Sequence, residues 1–327
     1  LLDYLNSRRW SNDLPAELEG IYDAERYRKS QDYIRTNTRF SIVSDTVFFV
    51  AMLLMLFFGG FALIDQLAWT VTQHPVLLAL IFFAVLALAA DILGLPFSVY
   101  ATFVIEERFG FNRTTVKTYI LDKLKGLLIG AVIGGGLLAL VVWIHMATAQ
   151  WFWLIAWGVI TVFTLFMTMF YSNIIVPLFN KQVPLAEGEL RDAIEAFAAK
   201  VGFRLKNIYV IDSSKRSSKA NAYFTGLGPK KRVVLYDTLI NDHTTEELVA
   251  VLAHEIGHYK KKHTTVGVTI SILQTGLMLF ILSLFINHPV MSEVLGARQT
   301  SFHMGLTTFV LLYSPLSLVL GTFTNSL

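Results

Sequence analysis

The feature that most constrains this chain is a set of long stretches without charged side chains. Asp, Glu, Lys and Arg are absent from 46–64, 126–180, 264–292 and 299–327, and Asp91 is the one charge in 76–105. About 20 apolar residues cross the hydrocarbon core of a bilayer. Because 126–180 is too long for one crossing, its polar residues 145–150 predict a turn. The sequence therefore predicts six membrane spans, at roughly 46–64, 76–105, 126–147, 151–178, 265–286 and 302–323.

The 27 Lys and Arg residues are unevenly distributed between the connecting segments. Seven lie in 1–45, five in 106–125, fourteen in 181–263 and the remaining one in 287–298. Alternate loops carry this excess, as the positive-inside rule predicts for six crossings. We therefore expect the N-terminal segment, 106–125 and 181–263 to face the cytoplasm. Since topology explains the basic loops, no nucleic-acid partner is expected.

Segment 181–263 is long and polar enough to form a small folded domain outside the bilayer. Apolar residues at helical spacing predict a helix within 185–201. Three strands are predicted at 207–212, 220–225 and 232–237, the last two joined by the hairpin turn 226–231. The fold class is thus mainly α, a multi-span transmembrane helical bundle with a small α+β domain. The predicted domain limits are 1–180, 181–263 and 264–327.

The two ends of the chain have the character of internal sequence. Leu1 is not an initiator Met, and the opening residues lack the charged, apolar and small-residue pattern of a signal peptide. The final apolar run ends at Leu327 without a charged flank. We therefore expect the chain to be truncated at both ends.

A single five-residue motif carries the chemistry. His254 and His258 flank Glu255 in a His-Glu-x-x-His pattern, and the pair Thr244 and Glu247 matches a capping box at the start of the same helix. Residues four apart share one helix face, so both imidazoles can bind one Zn²⁺ while Glu255 sits beside them. The chain has no cysteine, so any metal must be bound by His and carboxylate. The sequence predicts a zinc site with His254 and His258 as ligands and Glu255 as the catalytic residue.

Catalytic zinc requires a third protein ligand and an open position for water. His263 does not have the spacing of a third histidine ligand, because Thr264 occupies that position. Glu293 is the one carboxylate after His263, and the charge rule places it on the opposite side of the membrane. We therefore expect the third ligand to be a carboxylate beyond Leu327.

The expected reaction is hydrolysis of a peptide bond. Zinc lowers the pKa of its bound water to about 7 and polarises the carbonyl of the peptide bond. Glu255 accepts the proton and then returns it to the leaving amine. An extended substrate can be held by strand addition to a sheet edge, and the candidate edge is 221–224.

With these residues identified, the chain resembles the type I CAAX prenyl proteases, integral-membrane zinc endopeptidases of the gluzincin type. The resemblance extends through most of the chain and includes the segments 27–33, 103–112, 211–224, 233–239 and 250–258. It implies seven helices enclosing a membrane chamber that a zinc domain closes on its cytoplasmic side. It also implies that Asn221, Ala222 and Tyr223 form the substrate-binding edge, and that the third ligand is a Glu in a segment of which only 325–327 is present.

The substrate class implied by the resemblance is a prenylated CAAX protein, from which the C-terminal tripeptide is removed. One alternative is a membrane quality-control protease of the HtpX heat-shock type, and another is a non-catalytic membrane scaffold or transporter. The expected partners are a peptide or protein substrate and the lipid bilayer. The Ala/Leu-rich spans favour a bacterial inner membrane, and a eukaryotic copy would lie in the endoplasmic reticulum.

Overall fold

The computed structural model describes residues 14–16, 19–20, 23–202, 207–226 and 232–325, and the side chains of 258, 259 and 323–325 lie outside the description. Within these ranges the chain is mainly helical with one small sheet, which confirms the predicted fold class. Five segments are long and apolar enough to cross a membrane: Ala24–Phe57, Pro75–Glu106, Val116–Phe179, His263–Phe285 and Phe302–Thr322.

The elements divide into three groups along the chain. The helices before the sheet are α1 (Ala24–Phe57), α2 (Gly60–Val71), α3 (Pro75–Tyr100), α4 (Val116–Ile129), α5 (Gly135–Thr148), α6 (Phe152–Ile174) and α7 (Val176–Phe179). The polar part contains β1 (Gln182–Pro184), α8 (Glu189–Lys200), β2 (Ile208–Ile211), β3 (Ala222–Thr225), β4 (Arg232–Tyr236), α9 (Asp237–Asp242) and α10 (Thr245–Lys260). The chain continues through α11 (His263–Phe285), α12 (Val290–Glu293) and α13 (Phe302–Asn325).

The first helix differs in its limits from the span predicted at 46–64. It begins at Ala24, where the Asp23 carboxylate caps it by accepting from the amides of Glu25 and Arg26 at 2.7 and 3.1 Å. It ends before Gly59, whose φ of +66° is a left-handed conformation that favours glycine. The glycine break therefore interrupts the predicted span 46–64. At its N-terminal end the helix is longer than predicted, because it includes charged residues before 46.

Two other helical stretches deviate from regular α geometry. α3 continues as a π-helix through Ala101–Glu106, and α4 joins α5 through a π-helical segment at Gly130–Gly134. The chain then reverses in the 3₁₀ turn Ala149–Trp151, and α5 and α6 pack against each other. This reversal lies at the end of the polar stretch where the turn was predicted.

The outer surfaces of these helices are strongly apolar. Phe57, Ile92 and Val162 are 81%, 70% and 69% exposed. So much exposed apolar surface is unfavourable in water and favourable against lipid tails. The chain is an integral membrane protein, in accordance with its five candidate membrane segments.

Asp91 interrupts an apolar span, where a carboxylate needs either water or a partner. Its Oδ1 atom lies 2.5 Å from the ammonium Nζ of Lys123 on α4. Both side chains are about 30% exposed, at 28% and 31%. The partner is therefore a cation on a neighbouring helix, which lowers the cost of placing this carboxylate in α3.

The sheet has four strands in the order β1-β2-β4-β3. β2 and β4 are parallel, and the outer strands β1 and β3 pair antiparallel to them. The three predicted strands correspond to β2, β3 and β4, whereas β1 was not predicted because it is three residues long and ends in Pro184. The buried core of this unit includes Ile194, Val233, Leu235 and Leu252. Most of the predicted hairpin turn, 227–231, lies outside the described residues.

Candidate metal centre and substrate edge

Helix α10, which carries the predicted metal ligands, begins with the predicted capping box. The Glu247 amide donates to Thr244 Oγ1 at 3.3 Å, and the Thr244 amide donates to Glu247 Oε2 at 2.9 Å. These two bonds satisfy amides that the first helical turn otherwise leaves unpaired. Leu248, Leu252 and Ile256 are at most 3% exposed and bury one face of the helix. This fixes which residues of α10 face away from the core.

The residues of the catalytic motif differ in how they relate to this buried face. His254 is two residues from both Leu252 and Ile256, so it lies on the opposite side of the helix, and its side chain is exposed. Glu255 is half-buried beside it. The backbone of His258 is helical one turn after His254, which places both residues on one face. Because the His258 side chain lies outside the described residues, its role as a ligand stays a prediction.

The fold does not support His263 or Glu293 as the third zinc ligand, in agreement with their rejection from sequence. α10 ends at Lys260, and Lys262 has a left-handed φ of +57°, so His263 starts the separate helix α11 rather than extending α10. Glu293 comes after α11, whose 23 residues span roughly 35 Å. Among the side chains that the structure describes, no three His, Asp or Glu groups are placed to hold a metal ion. The two imidazoles of His254 and His258 are donors that zinc accepts, and Glu255 lies next to His254 to handle a water.

β3 lies at the edge of the sheet and contacts α10. Tyr236 donates its amide to the Asn221 carbonyl at 3.1 Å, so these two residues form a hydrogen-bonded pair next to the antiparallel ladder. Such pairs alternate with pairs whose backbone groups point away from the partner strand. The N–H and C=O groups of Ala222 and Phe224 therefore point away from β4, toward the outer side of the sheet.

Each residue of the predicted edge has a distinct environment. Asn221 Oδ1 accepts from the Ala222 amide at 2.8 Å, covering one of the outward donors. The Ala222 side chain is buried, at 7% exposure. Tyr223 pairs with Val234 of β4 through its backbone, and burial raises the pKa of its phenol above the ordinary value. Tyr223 can therefore contact a substrate through its side chain, whereas Ala222 can do so through its backbone.

The loop before β3 is fixed by a carboxylate on α9. Asp237 Oδ1 accepts from Ser213 Oγ at 2.7 Å and from the Ser214 amide at 2.9 Å, and Oδ2 accepts from Ser214 Oγ. Burial alone would raise the pKa of Asp237, but these hydrogen bonds together lower it below its usual value. The charged form thus stabilises the loop. Sequence analysis did not assign Asp237 a role, although it lies in one of the segments quoted for the family resemblance.

The fold and site together define a class, a multi-span membrane protein with a His-Glu-x-x-His helix packed beside an edge strand. A family model described as CAAX prenyl protease N-terminal, five membrane helices, matches residues 3–181. The model of peptidase family M48 matches residues 184–324.

Individual relatives agree with these matches. The Schizosaccharomyces pombe probable CAAX prenyl protease 1 is 33% identical over 95% of this chain and 69% of its own length. The Saccharomyces cerevisiae CAAX prenyl protease 1 is 40% identical over 84% of this chain and 64% of its own length. The crystal structure of S. mikatae Ste24p superposes with a TM-score of 0.89 at 35% identity, covering 96% of this chain and 79% of that one. The chain thus spans about two thirds of the length of the two curated relatives.

This chain belongs to the CAAX prenyl protease family of M48 peptidases. The family consists of metalloendopeptidases, which are hydrolases, and this supports the enzyme prediction. It also weighs against the alternative of a transporter or a non-catalytic scaffold.

Proposed function

We propose that this protein is a zinc-dependent membrane endopeptidase that removes the C-terminal tripeptide of prenylated CAAX proteins. The observation that carries the proposal is the position of His254 on the exposed side of a capped helix that packs beside the edge strand β3, with Glu255 half-buried next to it. A metal site and a peptide-binding edge are the two parts that this reaction needs in contact.

His254 and His258 would hold the zinc ion, and the third ligand is proposed to be a Glu beyond Leu327. The bound ion would supply a water of lowered pKa and polarise the scissile carbonyl. Glu255 is the general base that accepts the proton from the attacking water and passes it to the amine that leaves. Its half-buried position limits competition from bulk water for that proton.

The peptide part of the substrate would add as a strand along β3. The outward N–H and C=O groups of Ala222 supply the main-chain hydrogen bonds, and the Asn221 side chain must move off the Ala222 amide. Strand addition holds the peptide extended beside α10, which contacts β3. The edge therefore orients the scissile bond without depending on its side chains.

The lipid part of the substrate would lie between the membrane helices. Polar side chains of Ser271, Gln274 and Thr275 on α11 line an open cavity of about 240 Å³, together with Tyr313 and Ser317 of α13. Polar groups at membrane depth are favourable where they face a wet space inside the protein. A polar cavity between α11 and α13 is compatible with a wet space among the membrane helices, and the enclosed chamber itself is proposed from the family resemblance. The printed names of the relatives, CAAX prenyl protease 1, support the prenylated substrate class.

The proposed orientation follows from the distribution of Lys and Arg. Because 181–263 holds fourteen of the 27 basic residues, we place α10 and the sheet on the cytoplasmic side. The bacterial inner membrane is the proposed location, with the endoplasmic reticulum as the alternative for a eukaryotic source.

A paired cleavage assay tests the proposed function. The full-length protein is incubated with a farnesylated CAAX peptide and with the same peptide unmodified, and zinc is measured on the same sample. We expect about one zinc per chain and cleavage that favours the farnesylated peptide. Equal cleavage of both peptides and of misfolded membrane proteins would favour the quality-control alternative. A zinc-loaded protein that cleaves none of them contradicts the proposal.

A backbone substitution tests the edge strand. Ala222→Pro removes the outward N–H without removing a ladder bond to β4, so the KM for the peptide should rise about tenfold. Ala222→Ser keeps the N–H and should leave KM near the wild-type value. The measurement is steady-state cleavage with zinc content as a check on the metal site. An unchanged KM in the proline variant would exclude strand addition at this residue.

A further inference from the structure

Three segments far apart in the chain converge on the ammonium group of Lys219. Lys219 Nζ lies 2.8 and 3.0 Å from the two carboxylate oxygens of Glu106 and donates to the Tyr33 hydroxyl at 2.7 Å. The Tyr33 hydroxyl in turn donates to Glu106 Oε1 at 2.5 Å. Tyr33 belongs to α1 and Glu106 to the π-helical end of α3, so the cluster joins two membrane helices to the polar domain.

Two aromatic rings flank this charge, and the Lys219 side chain is 45% exposed. Lys219 Nζ lies 4.9 Å from the ring centroids of both Tyr33 and Phe111, a distance at which the ring faces attract a cation. Tyr33 also contacts Phe109 and Phe111 edge to face, at 5.1 Å between centroids. Burial lowers the pKa of Lys219, but the hydrogen bonds with Glu106 and Tyr33 raise it by more in total. The ammonium is therefore charged at neutral pH.

The loop that carries Lys219 is bound to the 106–125 connection at several further points. Ser218 donates its amide to the Phe111 carbonyl at 3.0 Å, and Arg113 donates its amide to the Arg216 carbonyl at 3.0 Å. The Arg216 guanidinium forms a bidentate pair with Asp122 of α4 at 2.6 and 2.8 Å. Charge-assisted bidentate pairs fix orientation as well as distance. The loop therefore has a defined position relative to the membrane helices.

Because the loop is fixed at Lys219, the start of the substrate edge at Asn221, two residues later, is fixed as well. The Lys219 carbonyl accepts from Thr238 Oγ1 at 2.9 Å, and Asn221 then begins the pairing with β4 through its own carbonyl. The side chain of Lys219 thus holds the start of β3 against α1 and α3. A lateral shift of this point would move the outward groups of Ala222 and Phe224 relative to the membrane cavity.

We infer that Lys219, held by Glu106 and Tyr33, is a positioning residue that fixes the substrate edge relative to the membrane helices. The inference rests on the proposed function, because it concerns a substrate with one part on β3 and another between the helices. Lys219 acts through the edge strand and does not itself contact the scissile bond. A misplacement of about 1 Å can cost about 100-fold in rate even when it arises far from the chemistry.

Lys219→Met tests the inference, since it keeps the length of the side chain and removes its charge. With the farnesylated peptide, kcat should fall about 10- to 100-fold at unchanged zinc content and unchanged Tm, and the preference over the unmodified peptide should shrink. Lys219→Arg, which can still pair with Glu106, should recover part of the loss. Lys215→Met is the matched control on the same loop, because Lys215 is exposed like Lys219 but does not belong to the cluster with Glu106 and Tyr33, and it should behave as wild type.

A second measurement does not depend on cleavage. Amide hydrogen exchange across 220–226 should be faster in Lys219→Met than in wild type and unchanged in Lys215→Met. Equal exchange in all three proteins overturns the inference whatever the activity, as does an unchanged kcat and peptide preference in Lys219→Met. Failure of the proposed function has a different result, because the zinc-loaded wild-type protein would then cleave no peptide while the exchange difference persisted.

Discussion

Glu255→Gln is expected to leave the zinc content unchanged and to lower peptide cleavage by about 1,000-fold, in the range for loss of a general base. Glutamine has the size of glutamate and retains an oxygen acceptor, but it cannot accept the proton of the attacking water. The two histidines are untouched, so the metal should stay bound. The measurement is kcat with a farnesylated peptide, together with zinc analysis of the same preparation.

Glu246→Gln is the control for this variant. Glu246 lies on the same helix and is exposed, and its substitution replaces the same single atom. Loss of the Glu246 charge should alter cleavage less than twofold, as is usual for an exposed charge. Cleavage by Glu255→Gln at the wild-type rate would show that another group handles the proton. Loss of zinc in that variant would instead indicate that Glu255 binds the metal.

His254→Ala should lose both the metal and the activity. Removing one imidazole leaves an incomplete ligand set, and structural and catalytic zinc sites bind weakly without their full complement of protein ligands. We expect zinc content to fall from about one ion per chain to background, with cleavage falling to background as well. Because the His254 side chain is exposed and lies outside the buried face of α10, the helix itself should persist.

His263→Ala separates this effect from a general loss of histidine near the site. His263 is exposed at the start of α11, after the left-handed residue Lys262, and should be replaceable with no change in zinc content. If His263→Ala lost the metal as completely as His254→Ala, the ligand assignment would be wrong. Circular dichroism and thermal unfolding in detergent would check that both variants are folded.

These predictions differ in how much they depend on three-dimensional information. The assignment of His254, Glu255 and His258 rests on a helical period, which is a local property of five residues. The capping residues Thr244 and Glu247 are local as well, and their two hydrogen bonds are observed as predicted. By contrast, neither Lys219 nor Glu106 could be assigned a partner in advance, because 112 residues and several helices lie between them in the chain and the pairing is set by their packing.

The limits of helices were predictable where they depend on composition and were missed where they depend on backbone conformation. The apolar runs that form the membrane helices were evident, since no soluble environment accommodates them. The helix break at Gly59 requires a left-handed backbone conformation at that residue. Whether the chain adopts this conformation depends on how the surrounding helices pack. Strand β1 could not be identified because three residues ending in proline carry no periodic signal.

The sequence alone determined that this protein lies in a membrane and carries a helix able to present two imidazoles and a carboxylate, because charge-free length and helical period are local properties. Tertiary structure decided that β3 is one of the two edge strands of the sheet, that Ala222 and Phe224 direct their backbone groups away from β4, and that Lys219 reaches Glu106 and Tyr33. Which strands lie at the edges and which distant charges meet depend on the packing of the whole chain, so no single segment specifies them.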